Sequence, residues 1–290
     1  MNENEIKSLL KLLEDPDENI YNSIKSKFFE NEKEFKPILE NYWIDSTNEL
    51  ANKRIEQIID EIHLAESTKN LINWKKNEND NLLNGILIIE KFFDRLEDTD
   101  ELKNKTENII AKIWLELNNQ LTALEKIKVI NHTLFITEKF KYISNKNINY
   151  RSIKISTLIN EKIFIDKTMA IFYYIIAKRL DIPIYILNAN LSGYSILGYI
   201  DQTLATAVFS KPDNNIVFFI LPTFNGEIWS QNQLIEFAKE KNIQIEPKDF
   251  EPLSNTKILK QWVNYKKAFL EKTDYNSFAL SNVKKIIDIL

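Results

Sequence analysis

Apolar residues in the first 140 positions recur at intervals of three and four, which is the repeat of an amphipathic helix. The repeat is clearest in one run of isoleucines, namely Ile55, Ile58, Ile59 and Ile62. Proline and glycine, which interrupt helices, are scarce in this part of the chain. The pattern therefore predicts that the N-terminal half consists of helices that each bury one face.

Local signals divide this helical region. The segment Asp15 to Glu18, with Pro16 inside it, predicts a turn between two helices like that of a HEAT-type hairpin. Pro37 is expected to open the next helix. Ser46 to Glu49 and Thr122 to Glu125 have the Ser/Thr-x-x-Glu spacing of a capping box, and they predict two further helix starts.

The periodicity changes in the second half of the chain. After a surface loop over Tyr142 to Tyr150, a helix is predicted from Asp166, as N-cap, to Leu180, and Pro183 prevents its extension. Alternating apolar segments then predict four antiparallel strands, at Ile184–Ala189, Tyr194–Ile200, Ala205–Phe209 and Ile216–Leu221. Further amphipathic helices are predicted around 233–241 and 257–271.

Composition limits the classes of function. The chain of 290 residues has no cysteine, which excludes disulfides, thiolate metal sites and cysteine nucleophiles. The formal net charge of −4 provides no general attraction for nucleic acid. The polar, acidic start of the chain shows no signal peptide, and its most apolar run, Ala170 to Ala177, is too short for a membrane span. We therefore expect a cytoplasmic protein without a membrane segment.

Several stretches resemble a known group of proteins. Ile113 to Asn118, Leu121 to Lys126 and Asn131 to Phe135 are similar to the entry helices of the bacterial transglutaminase-like proteins of the SirB type. Ala177 to Pro183 looks like the end of their central helix. The resemblance implies an α+β, predominantly helical fold, in which a transglutaminase- or papain-like core packs a central helix on a small antiparallel sheet.

The same comparison implies a division into domains. An N-terminal helical region with the HEAT-like hairpin is expected over 1–100, the transglutaminase-like core over 101–245, and a helical C-terminal extension over 246–290.

The resemblance also implies where a catalytic triad would lie. Catalytic members of the superfamily have a cysteine at the start of the central helix, a histidine in the next strand and a carboxylate before a Pro-Thr pair. The corresponding residues of this chain are Asp166, Tyr194 and Leu221, the last of which precedes Pro222-Thr223. A carboxylate is a poor acyl-transfer nucleophile, and a tyrosine with a pKa of about 10 is a weak base. The implied triad is therefore vestigial.

Other polar residues near these positions are candidates for a binding cleft: Lys167, Thr168, Ser195 and Thr223. A serine or threonine nucleophile would require a base within hydrogen-bond distance, and Lys167 is the one nearby amine. Without such a base, the hydroxyl groups are interpreted as turn and cap residues.

The two histidines, His63 and His132, lie in helical patterns with apolar neighbours, and His132 is interpreted as a core or capping residue. Asp60 and His63 have the spacing of two metal ligands on one helix, but no second such pair accompanies them. No metal site and no cofactor are predicted. Basic and aromatic residues alternate near the end, and this pattern is interpreted as a solvated helix face, formed by Lys257, Lys260, Lys266 and Lys267, beside the core aromatic residues Trp262 and Tyr265.

Three hypotheses about function follow. The first is a non-catalytic transglutaminase-like protein that binds a protein or peptide partner in the former substrate groove. The second is a hydrolase or acyl transferase with an unconventional nucleophile, which requires Asp166, Lys167, Thr168 and Ser195 to meet in one pocket. The third is a purely helical interaction scaffold, which requires a filled cleft beside Asp166.

Overall fold

The computed structural model describes residues 3–144, 148–188, 195–201, 217, 219–222, 226–273 and 278–290. Its backbone contacts divide the chain into two units, one of Met1–Asn73 with Asn276–Ile289 and one of Trp74–Tyr275 with Leu290. The domain boundaries expected near residues 100 and 245 rest on the sequence pattern and stay predictions.

Helices make up most of the described chain. They are α1 (Glu3–Lys11), α2 (Glu18–Glu30), α3 (Glu32–Asp45), α4 (Glu49–Asn77), α5 (Leu82–Phe93), α6 (Thr99–Glu116), α7 (Ala123–Asn131), α8 (Ile155–Glu161), α9 (Asp166–Arg179), α10 (Gln231–Glu240), α11 (Asn255–Lys272) and α12 (Phe278–Ile289). The strands are β1 (Lys141–Tyr142), β2 (Ile163–Phe164), β3 (Ile184–Ile186), β4 (Ile196–Tyr199) and β5 (Phe219–Pro222). Within the described residues, no helix combines the length and the hydropathy that crossing a bilayer requires.

The predicted helical region is present in the first unit. Its core contains the four isoleucines of α4, each at most 2% exposed: Ile55, Ile58, Ile59 and Ile62. The predicted turn before α2 is also present, and the Asp17 carboxylate caps that helix by accepting the Asn19 N–H at 2.7 Å.

Two local expectations for this unit were wrong. Pro37 lies inside α3, because the helix starts earlier and brings Phe35 into the core against Phe28, with ring centroids 4.9 Å apart. Asn48, not Ser46, caps α4, since its side-chain oxygen accepts the Ala51 N–H at 3.0 Å.

The central helix of the second unit packs on a small sheet, as predicted. The sheet has the order β3-β4-β5 and is antiparallel throughout, with Ile186 opposite Leu197 and Leu197 opposite Leu221. Helix α9 contacts both β3 and β4, and its residues from Thr168 to Ala177 are all buried. The fold is therefore α+β and predominantly helical. The strand predicted at 205–209 lies outside the described residues.

A second, two-stranded sheet was not predicted. Strands β1 and β2 pair in parallel, with Lys141 opposite Ile163, so the predicted loop begins one residue later than expected, after Tyr142. Strands of two residues are too short to show an alternating pattern, and their pairing depends on contacts distant in sequence. This small sheet leads directly into the start of α9.

Candidate functional site

The start of α9 falls at Asp166, as predicted, but the capping arrangement differs from the prediction. Ile165 is the N-cap residue, and Asp166 is the first residue of the helix. The N–H of Ile165 donates to Thr168 Oγ1 at 3.1 Å, and the same hydroxyl donates to the carbonyl oxygen of Ile165 at 3.0 Å. Thr168 is fully buried. Its hydroxyl proton is engaged with the backbone, so Thr168 acts as a cap and is not available as a nucleophile.

Asp166 joins the helix start to the sheet. Its carboxylate is 3% exposed and accepts a hydrogen bond from the backbone N–H of Ser195, which immediately precedes β4. The negative charge in the first turn also interacts favourably with the helix dipole. Asp166 therefore has a structural function at the position where the resemblance places a nucleophile.

The other two vestigial positions lie on or beside the adjacent strands. Leu221 is buried in β5 and pairs with Leu197 of β4. Leu197 lies two residues after Ser195 along the chain. The Leu221 side chain offers no polar group to the helix start. Tyr194 and Thr223 lie outside the described residues. The assignment of Asp166, Tyr194 and Leu221 to the three triad positions stays a prediction.

Lys167 and Ser195 line the same cavity, which has a volume of about 40 Å³. The Lys167 ammonium lies 5.4 Å from the ring centroid of Tyr265 in α11. In the described part of the chain, this ammonium makes no hydrogen bond and no ion pair. Burial lowers the pKa of Lys167, and the Asp166 carboxylate opposes the effect. Burial, with a smaller contribution from Asp166, raises the pKa of Tyr265.

The size of this cavity limits what enters it. Pockets that hold small-molecule ligands typically measure about 300–1,000 Å³. A cavity of about 40 Å³ accommodates a few water molecules or a group of a few heavy atoms. The described residues therefore form no groove of substrate size beside Lys167.

Neither histidine belongs to this cavity. His132 was expected as a core or capping residue; it is the C-cap residue of α7, and it is exposed because it follows the buried Ile130 by two residues and so lies on the opposite side of the helix. Its neighbour Asn131 makes the internal contacts, accepting from the Tyr173 hydroxyl at 2.9 Å and donating to the Gly226 carbonyl oxygen at 2.6 Å. Tyr173 is seven residues after Asp166, or about 10 Å along α9.

His63 is buried in α4 and lies one turn after Asp60. Among the residues that the structure describes, no three histidine, aspartate or glutamate side chains lie together as a potential metal site.

The sequence reasoning missed a buried ion pair. Lys266 was assigned to a solvated face, but it is 1% exposed and its ammonium lies 2.7 Å from Glu90 Oε1 in α5. Glu90 also accepts the indole N–H of Trp262 at 3.1 Å and the backbone N–H of Ile155 at 3.1 Å. Lys266 follows Trp262 by four residues, so the two share one helix face. This four-residue spacing was the signal in the sequence from which the buried position of Lys266 could have been predicted.

A larger cavity of about 450 Å³ lies elsewhere in the second unit, between residues 94–97 and 150–161. Its charged side chains are paired with one another: Lys154 with Asp94 at 2.6 Å and Arg151 with Glu161 at 2.8 Å. Glu97 accepts the Ser156 hydroxyl at 2.7 Å. A ligand in this cavity would compete with hydrogen bonds that already exist.

Comparison with known protein families identifies the core. A profile described as the transglutaminase-like superfamily matches residues 100–264, which is more than half of the chain and includes α9 and its sheet. The chain belongs to the transglutaminase-like superfamily. Comparison with curated proteins and with solved structures gives no match.

Proposed function

We propose that this member of the superfamily is a non-catalytic protein of the SirB type that binds a protein or peptide partner. The observation that carries the proposal is the environment of Asp166, which stands at the start of the central helix and accepts a backbone hydrogen bond from Ser195. A carboxylate held in this way stabilises the fold and offers no nucleophile for acyl transfer.

The rest of the chain supports the loss of conventional chemistry. The chain has no cysteine, so a thiolate nucleophile is not available at any position. The hydroxyl group of Thr168, two residues after Asp166, serves as a helix cap. The central helix and its sheet are nevertheless complete enough to form a buried core, and a core that persists without its chemistry is suited to binding.

The purely helical scaffold remains an alternative, since it requires a filled cleft. The cavity beside Lys167 is small, at about 40 Å³, but it is lined by a charged side chain. A charged group at a small opening favours a binding site over a filled cleft.

A second candidate function has one observation in its favour. Lys167 and Ser195 line the same cavity, and burial lowers the pKa of Lys167, which are two requirements of a serine–lysine hydrolase. The same amine makes no hydrogen bond within the described residues, so the contact by which a base activates a hydroxyl is not formed.

Activity assays on the full chain separate these functions. We would measure incorporation of a fluorescent primary amine into casein and hydrolysis of p-nitrophenyl acetate, each at several pH values. We expect rates no higher than those of the Ser195→Ala and Lys167→Met variants. Turnover that is proportional to protein concentration and is lost in both variants would establish the hydrolase and overturn the non-catalytic proposal.

A further inference from the structure

The cavity beside Lys167 has a distinct chemical character. Three polar side chains that can donate hydrogen bonds, Lys167, Ser195 and Gln261, stand on its wall, and the remainder is largely apolar, including Ile186, Leu253 and Trp262. No carboxylate is among the described residues that line it. Gln261 is exposed and Lys167 is half-buried, so the cavity opens to solvent.

Among the residues that the structure describes, none forms an ion pair with the Lys167 ammonium on this wall. Lys167 lies on the Tyr265 ring, a contact that stabilises a cation only in part. Asp166 is close enough to influence the pKa of Lys167, but it is not within ion-pair distance, and its carboxylate accepts the Ser195 N–H. A partly desolvated ammonium beside apolar side chains is costly, and an incoming anion would offset that cost.

Size and charge restrict the anion. The volume of about 40 Å³ admits a group of a few heavy atoms, so the bulk of any partner must lie outside. A site with one lysine, next to the Asp166 carboxylate, matches a ligand group with a single negative charge. A phosphate, which carries a charge of about −2 and is usually held by several donors or by arginine, is a poorer match.

We propose that this cavity binds one carboxylate of a polypeptide partner, with the Lys167 ammonium as its counter-ion and the Gln261 amide as a further donor. This inference rests on the proposed partner-binding function and names the group that the partner contributes. The carboxylate comes either from the C-terminus of the partner or from an aspartate or glutamate side chain, and both present the same chemistry to Lys167.

A peptide array tests the proposal with the full chain. Hexapeptides that vary at their last three positions are synthesised as free acids, as carboxamides, and as carboxamides with one internal glutamate. The tightest binders are then measured in solution by fluorescence polarisation against the wild type, Lys167→Met and Lys178→Met. Lys178 is exposed near the other end of α9, so its substitution removes the same charge from the same helix.

We expect binding of peptides that carry a carboxylate, with Kd raised at least about tenfold by Lys167→Met, or roughly 1.4 kcal/mol, and unchanged by Lys178→Met. Preference for the free acids assigns the C-terminus, and preference for the glutamate set assigns a side chain. If Lys167→Met is not folded by circular dichroism, Lys167→Gln replaces it, and protection of Lys167 from acetylation by the bound peptide provides a second readout on the wild type.

The contrary outcomes are distinguishable. Equal binding of neutral carboxamides, insensitive to Lys167→Met, overturns the carboxylate site and leaves partner binding intact. An equal loss in Lys178→Met would show general charge attraction and also overturns it. If no peptide in any set binds, both the carboxylate site and the proposed peptide-binding function fail.

Discussion

Two lysines lie beside one aromatic pair and differ in how their charge is compensated. Trp262 and Tyr265 stack on α11, with ring centroids 5.8 Å apart and an interplanar angle of 17°. Lys266 lies 5.3 Å from the Trp262 ring centroid and forms an ion pair with Glu90. Lys167 lies 5.4 Å from the Tyr265 ring centroid and has no ion pair in the described part of the chain.

The difference separates a charge that is paired inside the fold from a charge that we propose is paired by a ligand. Glu90 accepts hydrogen bonds from Lys266, Trp262 and the Ile155 N–H, so this buried group ties three helical segments together. Lys167 stands between Asp166 and Thr168, whose side chains are both bonded to backbone groups. Within the described part of the chain, Lys167 is the one of these three residues whose side-chain polar group makes no hydrogen bond.

The largest effect is expected from breaking the buried pair. Lys266→Met leaves the Glu90 carboxylate buried without its counter-ion, and we expect the free energy of unfolding to fall by about 3–5 kcal/mol, measured by urea denaturation. Lys267→Met is the matched control, because its contact with Glu271 at 3.7 Å is on the surface and should contribute about 0.5 kcal/mol or less. A loss below about 1 kcal/mol in Lys266→Met would contradict the structural role of the pair.

The next effect concerns the link between α9 and β4. Asp166→Ala removes the acceptor of the Ser195 N–H, and we expect a loss of about 1–3 kcal/mol in urea denaturation. Asp100, exposed in the first turn of α6, provides the control, since Asp100→Ala removes a similar charge and no buried bond. Equal losses in the two variants would show that Asp166 acts only through the helix dipole.

A smaller effect is expected at the cap. Thr168→Ala removes the oxygen that accepts the Ile165 N–H, at an expected cost of about 0.5–2 kcal/mol in thermal or urea unfolding. Thr168→Ser keeps the hydroxyl and should retain most of the stability. If the serine variant is as unstable as the alanine variant, the methyl group matters and the hydrogen bond does not.

The smallest effect, and the one of opposite sign, is expected at Lys167. The pKa of Lys167 in the folded state lies below its unfolded value of about 10.4, so the folded state loses this proton at a lower pH than the unfolded state. The stability of the wild type therefore rises as the pH increases from the folded-state pKa to the unfolded-state pKa. Lys167→Met should therefore be slightly more stable than the wild type at pH 7, by less than about 1 kcal/mol, and this advantage should shrink toward pH 10. Urea denaturation at the two pH values measures it, with Lys178→Met as the control. An advantage that grows with pH would contradict the lowered pKa.

Much of the core was accessible from the sequence because it depends on local patterns. The bounds of α9 followed from its apolar faces and from Pro183, and the capping box of Thr122 with Glu125 is present with an N–H to hydroxyl distance of 3.3 Å. The superfamily profile confirms the resemblance at the level of the superfamily.

What the sequence could not reveal depends on contacts between distant residues. Lys266 and Glu90 are far apart along the chain, and periodicity identifies the face on which Lys266 lies without identifying what covers it. The role of Asp166 likewise depends on the position of the Ser195 backbone, which no spacing within α9 specifies. His132 was interpreted as a core or capping residue because of its apolar neighbours, but it lies two residues after the buried Ile130, on the opposite side of the helix, and is exposed.

The position of Trp262 has an optical consequence. Its indole forms part of the cavity wall, is 2% exposed, and is held in orientation by the bond from its N–H to Glu90. A charge that arrives next to Lys167 changes the electric field at a fixed, buried chromophore, where salt screens less than at the surface. The near-ultraviolet spectrum of the wild type should therefore shift when the cavity is occupied, without any attached dye, and the spectrum of Lys167→Met should not.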